Sequence, residues 1–198
     1  MSAGLEGRLG AVRWRVSLLF PALVTVLLLC QPEGLALPCL LASLIHEGGH
    51  LLAMLLAGCP PESCTVGAFG ARIVTDGRRM PGYGRQIAIS LAGPGVNLLS
   101  GWLCARAGWY LPAGVSFGLG AFNLLPVLPL DGGQALWCGL SALFGVERAD
   151  RALTGTAGML LGLLAGAGAV MAAGYANFTL LITSGWLVWM ALARRRAK

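Results

Sequence analysis

Six long apolar runs dominate the chain: Val16–Cys30, Leu35–Cys59, Gln86–Cys104, Tyr110–Leu130, Ala152–Tyr175 and Phe178–Ala193. One hydrocarbon crossing takes about 20 helical residues, so the pattern predicts about six transmembrane helices. Gln31-Pro32-Glu33-Gly34 makes a polar turn between the first two. The opening run resembles the start of a signal peptide. It is interrupted by Pro21 and lacks a convincing small-residue cleavage site, so it reads as a crossing that stays attached. One stretch breaks the helical pattern. Cys64–Thr75 reads C-T-V-G-A-F-G-A-R-I-V-T and ends at the turn signal Asp76-Gly77, which predicts one or two short surface strands. Gln134–Phe144 is too short to cross and is expected at the interface or as a re-entrant segment. The fold class is therefore an all-α polytopic membrane protein with a small β-strand element after the second helix. A transmembrane β-barrel is excluded, because its strands alternate polar and apolar positions.

Composition sharpens this. Of 198 residues 57% are hydrophobic and 11% charged, against about 25% charged in soluble domains. A soluble enzyme, a disordered regulator and a secreted disulfide scaffold are all excluded. Six crossings leave room for short loops and tails only, so residues 1–198 are read as one membrane-embedded domain. Its core spans about 35–140, and 152–193 form a C-terminal helix pair. The net charge of +6 invites a nucleic-acid reading. The basic residues instead flank apolar runs: Arg8, Arg13 and Arg15; Arg72, Arg78, Arg79 and Arg85; Arg148 and Arg151; and Arg194 to Lys198. With six crossings these clusters share one side, and only Arg106 lies opposite. Both termini are then cytoplasmic. The expected partner is the lipid bilayer, with no nucleic acid.

The two histidines of the chain are His46 and His50, with Glu47 between them in H-E-G-G-H. Residues four apart share a helix face, so both imidazoles can reach one metal ion. Glu47 stands beside them as a candidate general base. Polar side chains in an apolar helix are costly and need a partner or a task. A catalytic zinc takes a third protein ligand. Apart from Glu47, Asp131 in N-L-L-P-V-L-P-L-D-G-G is the carboxylate that abuts a crossing with apolar residues on both sides. The alternative is that Asp131 caps the helix that follows. Asn97 and Asn123 are read either as helix-to-helix hydrogen bonders or as donors to a substrate carbonyl, with Asn123 favoured for the second role. Gly48 and Gly49 leave room for a close approach. Cys59 and Cys64 match neither a redox pair nor a zinc knuckle, and read as structural.

H-E-G-G-H at 46–50, A-G-P-G-V-N at 92–97 and N-L-L-P-V-L-P-L-D-G-G at 123–133 resemble the three signature regions of the site-2 protease family, above all its compact sporulation-type branch. The resemblance covers about residues 35–140. It implies a three-helix core holding one zinc ion per chain, with His46, His50 and Asp131 as ligands and Glu47 as general base. It implies that Asn123 helps position substrate, and that a peptide bond is cut within or near a transmembrane or membrane-tethered protein. In the sporulation-type branch that protein is a sigma-factor precursor cut from the cytosolic side. The implied location is a bacterial cytoplasmic membrane. A substrate helix must unwind to be cut, and the strand-like segment with Val66 and Ile73 is a candidate to receive it by edge pairing. Three features depart from the family pattern. Gly48 replaces a larger apolar residue, Gln134 stands where Arg is common, and no regulatory domain interrupts the core, which implies a separate membrane regulatory partner. The rival readings are an inactive membrane interaction or chaperone protein that retains the protease fold, and a metal transporter.

Overall fold

Exposed leucines and mostly small or polar buried residues mark the helix Ala36–Leu56. In the computed structural model, residues 4–9, 12–17, 34–67, 70–75, 81–175 and 179–196 are described. They fall into two compact units, Met1–Asn123 and Leu124–Lys198.

The first unit carries a four-stranded sheet and three helices. Strands β1 (Gly4–Leu9) and β2 (Val12–Ser17) form an antiparallel hairpin. Helix α1 (Ala36–Leu56) follows, then β3 (Pro61–Gly67) and β4 (Gly70–Thr75), which pair antiparallel. The sheet order is β1-β2-β3-β4, with β2 parallel to β3. The expected strand element after the zinc-motif helix is thus β3 and β4, and the hairpin ahead of it was not expected. β2 extends to Ser17, so the predicted first crossing starts no earlier than residue 18. The rest of that crossing lies outside the described residues.

Helix α1 ends because Gly58 adopts φ +69°, a conformation costly for residues with a Cβ. Cys59 N–H then donates to Met54 O at 2.9 Å and Gly58 N–H to Leu55 O at 3.1 Å. These two bonds close the helix and turn the chain into β3. Helix α2 (Tyr83–Arg106) ends in the same way at Gly108, where Trp109 N–H donates to Cys104 O at 2.9 Å. Helix α3 (Tyr110–Asn123) follows and packs on both α1 and α2. On α1, Leu37, Leu41, Leu44, Leu52, Leu55 and Leu56 are exposed, while Ala36, Ala42, His46, Gly49 and Met54 are buried. A soluble helix would bury the leucines and expose the histidine. The reversed pattern suits hydrocarbon outside and function inside.

The second unit begins with the turn Leu124–Leu130, which includes the cis peptide Leu128-Pro129. Helix α4 (Asp131–Phe144), helix α5 (Val146–Tyr175) and helix α6 (Thr179–Arg196) complete it. Trp137 Nε1–H donates to Asp150 Oδ1 at 2.8 Å and ties α4 to α5.

Three described helices are long and apolar enough to cross a membrane: α1, α2 and α5. Helix α3 has 14 residues and reaches about 21 Å at about 1.5 Å per residue, less than a hydrocarbon core. Pro126 and Pro129 explain why it stops at Asn123 rather than running to Leu130 as expected. Helix α6 contributes the shorter apolar stretch Leu180–Trp189. The described residues therefore establish a multi-pass, helical membrane-type fold, with three qualifying spans rather than six.

Candidate metal centre

The centre grows from the seam where α1 lies against α2. Gly49 makes that approach possible. A Cβ there would stand 2.6 Å from Val96 Cγ2 and 2.8 Å from Ala92 O. One residue on, a Cβ at Gly93 would run into the ring of His50 at Nε2. The A-G-P-G segment therefore provides the space that the His50 ring fills.

His46 and His50 lie one turn apart with ring centroids 4.8 Å apart, edge to face at 82°. Their Nε2 atoms are 3.1 Å from each other. Two nitrogens each about 2.0–2.1 Å from one tetrahedral zinc stand roughly 3.3 Å apart, so the pair needs only a small adjustment to share an ion. His50 Nδ1 lies 2.8 Å from Ile89 O. A carbonyl only accepts, so Nδ1 of His50 carries the proton and its Nε2 presents a lone pair. That is the usual arrangement of a metal-binding imidazole. His46 is 7% exposed, and its Nδ1 lies 3.2 Å from Asn97 Nδ2. Ile89, Gly93 and Asn97 recur every fourth residue, so one face of α2 supplies a carbonyl, a gap and an amide to the two rings.

Among the described residues, His46, His50 and Asp131 make up a His/His/Asp cluster able to coordinate a metal ion. Asp131 is the first residue of α4, which is preceded by Leu130 without a side-chain cap. The two glycines after Asp131 answer to packing. A Cβ at Gly132 would run into the Leu124 carbonyl, and one at Gly133 would stand 2.7 Å from Leu128 N. Close packing of the 124–130 turn on the start of α4 requires them. Cys138 lies fully buried in α4. Burial pushes its thiol up from the ordinary value, with the Gln134 amide bond opposing.

The remaining expected residues divide. Glu47 is half-buried next to His46. Asn123 Nδ2 donates to Leu119 O one turn back at 3.0 Å, so part of its bonding capacity is spent on its own helix. Asn97, the less favoured of the two asparagines, is the one that bonds to a motif histidine. The four-residue stride from Ile89 through Gly93 to Asn97 was the signal available for it. Val66 lies on β3, which pairs with β2 through Val16 and with β4 through Ala71. Its backbone is occupied on both sides, and it offers no free edge. Ile73 lies on β4, at the outer position in the sheet order. Cys59 is a buried free thiol, which agrees with its structural reading.

No protein-family model matches the chain. It is 33% identical over 178 residues to the provisionally named zinc metalloprotease Rip3 of Mycobacterium tuberculosis, covering 77% of this chain and 43% of that protein. It is 32% identical over 110 residues to the provisionally named zinc metalloprotease sll0528 of Synechocystis, covering 49% of this chain and 29% of that protein. The chain thus spans less than half the length of these curated relatives. Among solved structures it resembles the site-2 protease from Methanocaldococcus jannaschii at a TM-score of 0.69 and 19% identity, over 98% of this chain and 94% of that one. The fold is site-2-protease-like.

Proposed function

We propose that this chain is an intramembrane zinc metalloprotease that hydrolyses a peptide bond within or near a transmembrane or membrane-tethered protein. The observation that carries this reading is the histidine pair: two Nε2 atoms 3.1 Å apart inside an apolar helix, with His50 already in the metal-binding tautomer. His46, His50 and Asp131 are the proposed ligands of one zinc ion. Bound zinc would supply Lewis acidity to the carbonyl and to water.

The chain supplies the rest. Glu47 takes the proton of the attacking water and passes it to the leaving amine. The two imidazoles would hold the ion by their Nε2 atoms. The buried α1–α2 seam excludes bulk water from the ligand side, which strengthens each electrostatic contact. Asn123 retains an amide N–H and an acceptor oxygen with which to position substrate. An unwound substrate segment would pair with β4, the outer strand that carries Ile73, rather than with β3.

The narrower reading, a sigma-factor precursor cut from the cytosolic side, is supported by the motif resemblance to the sporulation-type branch. The clusters of basic residues flanking the apolar runs support cytoplasmic termini, the motif resemblance supports a bacterial cytoplasmic membrane, and a separate membrane protein would regulate cleavage. The test is cleavage of a membrane-tethered reporter by the purified, reconstituted chain, beside Glu47→Gln. Cleavage by the first and none by the second is expected. Equal cleavage by both, or none by either zinc-loaded protein against a panel of tethered substrates, would overturn the assignment.

A further inference from the structure

Asn97 is fully buried at 0% exposure, and its Oδ1 has no hydrogen-bond partner. Leaving a buried amide oxygen unpaired costs about 1–3 kcal/mol, so such an atom calls for an explanation. Its neighbour supplies one. Asn97 Nδ2 lies 3.2 Å from His46 Nδ1, and in that orientation the amide donates and Nδ1 accepts. His46 must then carry its proton on Nε2, which donates to His50 Nε2 at 3.1 Å. His50 in turn donates from Nδ1 to Ile89 O at 2.8 Å. Every donor in this chain of three bonds meets an acceptor. It has one consequence for a metal: the His46 nitrogen facing His50 is protonated and cannot bind an ion.

We propose that Asn97 is a positioning residue of the metal centre, whose amide turns over as metal binds and fixes the protonation of His46. Metal ligation through Nε2 requires His46 to carry its proton on Nδ1. The group facing Nδ1 is the Asn97 amide, and half a turn about its last torsion puts Oδ1 where Nδ2 stands, with almost no change of shape. The oxygen then accepts from His46 Nδ1–H, and the NH2 group takes the place Oδ1 leaves, so the amide pairs one of its two ends in either state. His46 stays neutral throughout, since one proton moves from Nε2 to Nδ1 and none is released. The two histidines are thereby held by different means. His50 is fixed in one tautomer by a backbone carbonyl, whereas His46 is switchable because an amide can present either face.

This inference rests on the zinc reading, and the experiment separates the two. The chain has two histidines, so selective 15N-histidine labelling of the detergent-solubilised full chain, carried on a histidine-free tag, gives a spectrum of four ring nitrogens. In the metal-free protein His46 is expected protonated on Nε2 and His50 on Nδ1. After zinc loading, both are expected protonated on Nδ1. Zinc affinity, measured by competition with a chromophoric chelator, is expected to fall about 10–100-fold in Asn97→Leu. It is expected to be held or raised in Asn97→Asp, which keeps an acceptor toward Nδ1. A purely structural amide would give the reverse ranking, because leucine fills a similar volume and aspartate buries a charge. The proposal is overturned if folded Asn97→Leu binds zinc as tightly as wild type, if Asn97→Asp loses zinc as Asn97→Leu does, or if His46 has the same tautomer with and without zinc. Should Asn97→Leu fail to fold, the wild-type spectra and Asn97→Asp still decide. Failure of wild type to bind zinc at all removes the metal reading, and with it the proposed switch. The metal-free tautomer of His46 still reports on the Asn97 bond by itself.

Discussion

Two of the helix seams that glycine brings close differ in what they hold: one carries the histidine pair and the other carries no histidine. At the α1–α2 seam Gly49 and Gly93 bring the backbones together. At the α5–α6 seam Gly168 does the same, with a Cβ there standing 2.8 Å from Leu181 N. Small residues permit such approaches wherever helices pack in a membrane. The difference lies in where the polar side chains point. At the first seam His50 reaches across to Ile89 O and Asn97 reaches across to His46. In the second unit Ser184 turns back to Leu181 O at 2.9 Å and Thr156 to Leu153 O at 3.1 Å, each on its own helix. A polar group that satisfies itself locally is only accommodated in the apolar helix. A polar group satisfied across the seam orders another side chain, and a metal site needs that order.

The comparison can be sharpened by substitution, with the largest effect at the reacting group. Glu47→Gln is expected to lower the cleavage rate by about 10²–10⁴-fold, the usual worth of a general acid–base residue, while leaving zinc content unchanged. Metal analysis beside a cleavage assay reads both quantities. Gly93→Ala comes next. Its Cβ must displace the His50 ring, so zinc affinity is expected to fall by about tenfold or more, with overall helicity by circular dichroism preserved. Gly168→Ala is the matched control at the other seam. It is expected to cost about 1–3 kcal/mol of stability by overpacking, measured by denaturation in detergent, with zinc affinity as in wild type. A zinc defect there, or none at Gly93→Ala, would erase the distinction between the seams. Ser184→Ala is expected to change least, within about 0.5 kcal/mol. Leu181 O keeps its helical partner, and no unpaired donor is left behind.

Much of the metal centre could be read from the chain because its spacing is local. H-E-G-G-H fixes the geometry of both histidines by helix periodicity alone, and Gly58 marks where that helix ends. The strand pair after it was equally readable from composition and the Asp76-Gly77 turn. The hairpin β1–β2 was missed although V-R-W-R-V alternates with the period of a strand. Arg13 and Arg15 fit an orienting flank equally well, and that reading prevailed. The parallel pairing of β2 with β3 joins residues such as Arg13 and Ser63 across the whole of α1, and no local pattern encodes it. For the same reason Val66 looked like an edge position. Asn97 was harder still. Its role depends on which side of α2 faces α1, which is a packing outcome, and Asn123 carried the stronger motif. The count of crossings was overestimated at α3 because hydropathy continues through Leu130, whereas the helix stops at Asn123.

The most direct test of the central claim is metal content per chain, by plasma mass spectrometry, on detergent-purified wild type beside His50→Ala and Asp131→Ala. Close to one zinc in wild type, with large losses in both variants, is the expected result. Folded, never-chelated wild type without stoichiometric metal, or variants that retain it, would contradict the account.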